Sequence, residues 1–273
     1  MLKKRVLTAL VLVPSFLATL FLLPNLWWAI LMLAITLVAL QEWANLAKFH
    51  KNQTAIYLIL SLVVGVVSMY LGRVQIQEPE DAIFQIFSLY AGMASVVFWL
   101  IFVPVWLLKQ FQIKNKVLMA VLGWLLLLPL WGALVSLAQV SPRTLLGFML
   151  LVWIADTAAY FAGKQFGKHK LAPTISPGKT WEGVLGALLA VSVYAVLVAQ
   201  YVHLNMINTL AASTLLLGLS VMGDLFESMM KRQAGVKDSG NLLPGHGGVL
   251  DRIDALTSTL PAALLLILLI NFN

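Results

Sequence analysis

The chain has no cysteine among its 273 residues, which excludes disulfide staples, thiolate nucleophiles and Cys-ligated metals. Charge is scarce as well: 11% of residues are Asp, Glu, Lys or Arg, against 61% hydrophobic, and the mean hydropathy is +0.92. Such a composition excludes an ordinary water-soluble domain, and the apolar runs repeatedly exceed the roughly 18 to 20 residues a helix needs to cross a bilayer. No internal repeat, low-complexity tract or soluble linker divides the chain. The net charge of +7 would suggest nucleic acid as a partner of a soluble protein. Here the basic residues fall between apolar runs, where they mark loop orientation and contact with anionic membrane lipids. The expectation is therefore an all-α, polytopic integral membrane protein with no nucleic-acid partner.

Lys3, Lys4 and Arg5 precede an apolar run over 6–23 that lacks a small-residue cleavage site, so this run reads as an uncleaved first span. Further spans are expected at 26–47, 55–71, 82–108, 117–138, 145–163, 181–202, 207–230 and 249–270, about nine transmembrane helices in all. With the N-terminus cytoplasmic, all but Arg73 and Arg143 of the 18 Lys and Arg residues fall on the inner side. The acidic residues Glu78, Glu80 and Asp81 lie opposite. Two long inner segments, 164–180 and 231–248, then share the cytoplasmic face. This divides the chain into an N-terminal scaffold, 1–140, and a C-terminal part, 141–273, that carries the chemistry.

The first part holds little that suggests chemistry. Gln41, Glu42 and Trp43 sit near an inner helix end and read as solvated or interfacial. Asn52-Gln53-Thr54 fits a glycosylation sequon but lies inside, and Pro104 is a candidate kink.

The second part is different. Asp156 interrupts an apolar span, where a carboxylate is costly unless it faces a polar cavity, a cation or a partner. Ser176-Pro177-Gly178-Lys179-Thr180-Trp181-Glu182-Gly183 mimics the end of a phosphate-binding P-loop, but Pro173 stands where its first glycine would be. What survives is local: Ser176 or Thr180 can cap a helix starting near Trp181, whose N-terminus favours an anion beside Lys179. Asp224 and Glu227 are three residues apart at one inner helix end, and Asp251 and Asp254 repeat that spacing at the next. Paired carboxylates of this kind suit a hard divalent cation completed by water and substrate phosphates, or mutual neutralisation by Lys231, Arg232 and Lys237. Between them, Pro244-Gly245-His246-Gly247-Gly248 can turn sharply and approach a phosphate closely. With no cysteine and no second suitably spaced histidine, zinc is not expected at His246.

Taken together, Ser228, Lys231-Arg232, Lys237-Asp238, Pro244, His246-Gly247-Gly248 and Asp251-Arg252-Ile253-Asp254 resemble the signature of the phosphatidate cytidylyltransferase (CDP-diacylglycerol synthase) family. Asp156-Thr157-Ala158-Ala159-Tyr160, the 176–183 segment and Gly223-Asp224 support the resemblance, which is specific over 153–254. It implies a membrane enzyme of nine helices, a homodimer, that makes CDP-diacylglycerol from CTP and phosphatidic acid at the cytoplasmic face of a bacterial inner membrane. It implies Mg2+ held by Asp224 and Asp251, with a second cation nearby as a further expectation. Asp224, Asp251, Lys237 and Asp254 would act at the reacting centre. Ser176, Lys179, Thr180, Glu182, Lys231, Arg232, Asp238, His246, Gly247, Gly248, Arg252 and Asp156 would contact or surround the substrates. A CTP-dependent lipid kinase shares parts of the pattern and is the nearest alternative; an ion-coupled transporter, using Asp156 and Asp224 as pathway carboxylates, is the alternative of another class.

Overall fold

In lipid every backbone polar group must be satisfied within the chain, so long apolar segments fold as helices. The computed structural model describes residues 2–71, 82–243, 245 and 247–271. Its helices are α1 (Leu2–Leu22), α2 (Asn25–Leu46), α3 (Lys51–Leu71), α4 (Ala82–Val97), α5 (Val103–Lys109), α6 (Lys116–Val140), α7 (Pro142–Phe166), α8 (Trp181–Val202), α9 (Met206–Ala234), α10 (Leu250–Ile253) and α11 (Leu256–Asn271). Among the described residues, seven helices are long and apolar enough to cross a membrane, and Leu10–Leu22 and Leu256–Leu269 are shorter apolar helices. Each of the nine expected segments coincides with helix.

α6 is the buried centre, packed against α2, α4, α7 and α11. Tryptophan indoles stitch α2 to it: Trp28 Nε1 donates to the Leu134 carbonyl, Trp131 Nε1 to that of Ala29, and Trp43 Nε1 to that of Met119, at 3.1, 3.1 and 2.7 Å. These bonds satisfy buried donors without adding charge to the bundle. A π-helical turn, Phe98–Phe102, joins α4 to α5 immediately before Pro104. The proline cannot donate to the helical ladder, and the helix leads into it through one widened turn rather than breaking. That turn presents Phe98 and Trp99 edge-on to Phe226 of α9, with centroids 5.6 Å away in both pairs.

α7 and α8 form the closest helix pair through small residues. A methyl on Gly186 would collide with Ala162, and one on Gly183 would lie 2.9 Å from the Ala159 carbonyl. Such contact lets two membrane helices approach at backbone distance. Thr180 caps α8, its hydroxyl accepting from Gly183 N–H at 3.1 Å. Thr180→Ala should lower stability by about 1 kcal/mol, read as a drop in the detergent unfolding midpoint.

Two local features differ from the sequence expectation. The 164–180 segment is not a plain loop: after α7 it forms an antiparallel hairpin, β1 (Lys170–Ala172) and β2 (Ser176–Thr180), pairing Lys170 with Thr180 and Ala172 with Ser176. Its turn closes with Ile175 N–H on the Ala172 carbonyl at 3.2 Å, and Ile175 is buried beneath it. The last segment is not one helix. α10 ends at Asp254, whose carbonyl accepts from Thr257 N–H and its hydroxyl, and α11 starts afresh. Conversely α9 runs through Lys231 and Arg232 to a left-handed Gly235 at φ 83°, so both cations lie on its last turn rather than in the following loop.

Candidate active site

The site lies where the C-terminal end of α9 meets the hairpin, α10 and the loop between α9 and α10. The first wall is the hairpin and the start of α8. Lys179 at the end of β2 reaches across to α9 and pairs with Asp224 Oδ2 at 2.6 Å. Asp224 Oδ1 is 3.3 Å from the Ser228 hydroxyl one turn later. The two segments singled out in the sequence are thus in direct contact. Ser176 is half-buried, and Thr180 is committed to the α8 cap. Glu182 does not face the α9 carboxylates: both its oxygens accept from His169 N–H at 3.2 Å, and His169 Nδ1 lies 2.7 Å from Oε1. It therefore ties the segment preceding β1 onto α8. Trp181 N–H, one of the donors at this helix start, is likewise bonded to the His169 carbonyl at 3.0 Å.

The second wall is a buried ion cluster. Lys231 Nζ donates to Asp251 Oδ1 and also lies 2.6 Å from Glu227 Oε2, the distance being the same in both pairs. Lys231 thus stands between the two carboxylates, and Glu227, a residue only 4% exposed, has its other oxygen, Oε1, without a hydrogen bond. Asp251 Oδ2 takes Gly248 N–H at 2.8 Å and Ser239 N–H at 2.9 Å. Burial alone would raise the Asp251 carboxyl, but Lys231 and the Gly248 and Ser239 amides outweigh it and hold it below the usual carboxylate range. Asp254 is the reverse case. Part of the residue reaches solvent, yet its carboxyl is enclosed, and this burial, reinforced by the charges of Asp224 and Glu227, holds it well above that range.

Gly247 and Gly248 belong to this packing. Gly247 has φ +79°, and a methyl there would run into Asp251 Oδ2; one on Gly248 would collide with Glu42 and Ser239. The Gly248 N–H is spent on Asp251 Oδ2 rather than left for a phosphate. Arg232 holds backbone, donating to the Val236 carbonyl at 3.1 Å and lying 3.4 Å from that of Ile175. Lys237, Asp238 and Arg252 are exposed. Asp156 on α7 is exposed at the helix surface and close enough to feel the charges of Asp224, Lys179 and Arg252. Its neighbours Trp153, Ile154, Thr157 and Ala158 line an open apolar cavity of about 340 Å³. His246 and Pro244 lie outside the described residues.

Two participants escaped the sequence reading. Glu42 of α2 is 6% exposed rather than solvated, and accepts from Val249 N–H, Leu250 N–H and the Ser239 hydroxyl at 3.0, 2.8 and 2.8 Å. Ser239 is buried between Glu42 and Asp251. Glu42 is the only charged residue of α2. An ionisable group in so apolar a helix is a signal for a buried partner.

A cation has a chemical place here. Among the described residues no three Asp, Glu or His side chains form a ready-made metal cage. A divalent ion completed by phosphates and water needs only one or two carboxylates. Asp251 Oδ1 has a lone pair beyond the one used by Lys231, and one lysine stands against the two carboxylates of Glu227 and Asp251, which leaves the cluster net negative. The carboxylates therefore fit a hard cation.

Spanning helices with a cluster of carboxylates and cations at one end of the bundle define an integral membrane protein with a charged site. Comparison with known proteins gives the family. The cytidylyltransferase family model matches residues 3–270, and the chain belongs to that family. The phosphatidate cytidylyltransferase of Pseudomonas aeruginosa is 38% identical over 274 residues, 97% of each chain. The Haemophilus influenzae protein of the same name is 34% identical over 281 residues, 96% of each chain. A Staphylococcus aureus protein so named is 51% identical over 124 residues, covering 45% of this chain and 47% of its own.

Proposed function

We propose that the protein transfers the cytidylyl group of CTP to phosphatidic acid, forming CDP-diacylglycerol and pyrophosphate. The observation that carries this reading, beside the family, is the Lys179–Asp224 ion pair, which joins the hairpin wall to the carboxylate wall in one site. A phosphatidate oxygen attacks the α-phosphorus of CTP, the new P–O bond forms, and the bond to the β-phosphate oxygen breaks, releasing pyrophosphate. No general base is required, because a phosphate monoester is already largely ionised near neutrality, its second pKa being about 6. The protein's task is alignment and charge neutralisation.

Lys179, Lys237 and Arg252 are the cations placed to hold substrate phosphates; Lys231 fixes Asp251, and Arg232 fixes the hairpin to α9. Mg2+ held by Asp224 and Asp251, with a second cation near Glu227 and Asp254, would supply neutralisation of the triphosphate. The apolar cavity beside Asp156 supports entry of a lipid substrate from the bilayer side. The charge bias of the loops and the bacterial relatives support a place in a bacterial inner membrane with this site facing the cytoplasm, and the homodimer rests on the family resemblance alone.

The test supplies purified protein with phosphatidate, Mg2+ and CTP labelled in the α- or the γ-phosphate. α-Label recovered in lipid and γ-label in pyrophosphate is the expected result. γ-Label in lipid with release of CDP would establish a lipid kinase instead.

A further inference from the structure

Glu42 and Asp251 come from opposite ends of the chain and meet at one hydroxyl. Glu42 sits near the end of α2, and the donors it collects are Val249 N–H, Leu250 N–H and the Ser239 hydroxyl. Ser239 in turn lies against Asp251 Oδ2, its amide at 2.9 Å and its hydroxyl at 3.1 Å. A hydroxyl has one proton to give, and the shorter contact assigns it to Glu42, leaving the amides of Ser239 and Gly248 as the donors that orient Asp251. Gly240 and Gly248 carry no side chain where Glu42 approaches, since a methyl at either would strike its carboxylate. Glu42 thus pins both sides of the loop, through Ser239 and through the start of α10, and those same residues present Asp251.

Resting on the functional reading above, we propose that Glu42 is a positioning residue of the reaction. It touches no substrate; it fixes the orientation of Asp251 through Ser239, Gly248 and α10. A buried carboxylate bound to amides and a hydroxyl, with no cation paired to it among the described residues, is an expensive way to fasten a loop, and a neutral acceptor would hold it at lower cost. Its two oxygens, however, let it receive three donors from two segments at once, which an amide side chain with one acceptor oxygen cannot do. Residues that orient a working carboxylate from behind typically cost about 10- to 100-fold when changed.

Glu42→Gln keeps size and one acceptor. In the full-length protein in detergent it should leave the unfolding midpoint near wild type and lower kcat about 10- to 100-fold with little change in KM for CTP or phosphatidate. Hydrogen exchange should quicken at the Ser239, Gly248, Val249 and Leu250 amides and not in α6 or α9. Ser239→Ala should act in the same direction, and the double variant should be no worse than the poorer single one, because both break the same chain of contacts. Wild-type turnover with unaltered exchange in Glu42→Gln would overturn the proposal, as would a rate loss that merely follows the loss of folded protein. If Glu42→Gln fails to insert, Ser239→Ala carries the same expectations and the same refutation. A wild-type protein that makes no CDP-diacylglycerol would overturn the functional reading instead, and the exchange measurement would still report whether Glu42 holds the loop.

Discussion

Asp251→Asn should reduce CDP-diacylglycerol formation by at least about 100-fold while the protein still inserts and folds. The substitution is isosteric, and its remaining carbonyl oxygen can still accept the Ser239 and Gly248 amides that now reach Oδ2. What disappears is the charge, together with the acceptor that Lys231 meets at Oδ1, and the lysine keeps Glu227 as its remaining partner. Asp251 is held below the usual carboxylate range by Lys231 and these two amides against the opposing effect of burial, so it is ionised wherever the enzyme is assayed. Its Oδ1 faces Lys231 and retains one lone pair for a cation. The checks are a steady-state assay across Mg2+ concentrations and a thermal unfolding curve on the same preparation. Near-normal turnover at any Mg2+ concentration would remove Asp251 from the reacting centre.

The largest effect on stability is expected from Lys231→Met, about 3 to 5 kcal/mol, the usual cost of removing one partner from a buried ion pair. The lysine side chain is 10% exposed and stands between Glu227 and Asp251, whose side chains are each 5% exposed. Methionine fills similar space but leaves two carboxylates facing one another near Asp224 and Asp254. The measurement is denaturant unfolding in detergent, and its companion is Lys231→Met with Glu227→Gln, which removes one of the stranded charges. Partial recovery in the double variant ties the loss to charge rather than to packing. An unchanged midpoint in the single variant would contradict the ion cluster described above.

The helices were legible because the apolar runs are long, nearly free of charge and separated by connections of which every second one bears lysine. Their ends were less so, since an α-helix does not stop where hydrophobicity stops. α9 carries Lys231 and Arg232 onto its last turn because Gly235 supplies the left-handed residue that ends it. The hairpin escaped because Lys170–Thr180 has no alternation of apolar and polar residues; its order comes from the Ala172–Ile175 turn, the buried Ile175 and the anchoring of β2 to α8. Asp224, Glu227, Asp251 and Lys231 were legible as a cluster, since carboxylates and cations at adjoining helix ends of so apolar a chain have few other places to go. Their pairing was not, because which lysine meets which carboxylate is decided by helix packing. Glu42 was missed for the same reason. From sequence it stands at a helix end, where solvent is the ordinary surrounding, and only the fold brings residues 239–250 over it.

Lys179 and Asp224 occupy one another, and this gives the pair a second meaning. A triphosphate that draws Lys179 away releases Asp224 Oδ2 to a cation, while a cation that takes Asp224 releases Lys179 to the triphosphate. Each ligand therefore removes the competitor of the other. Under the proposed function, thermodynamic linkage would make the gain equal in both directions, so that nucleotide and metal would bind cooperatively at this ion pair.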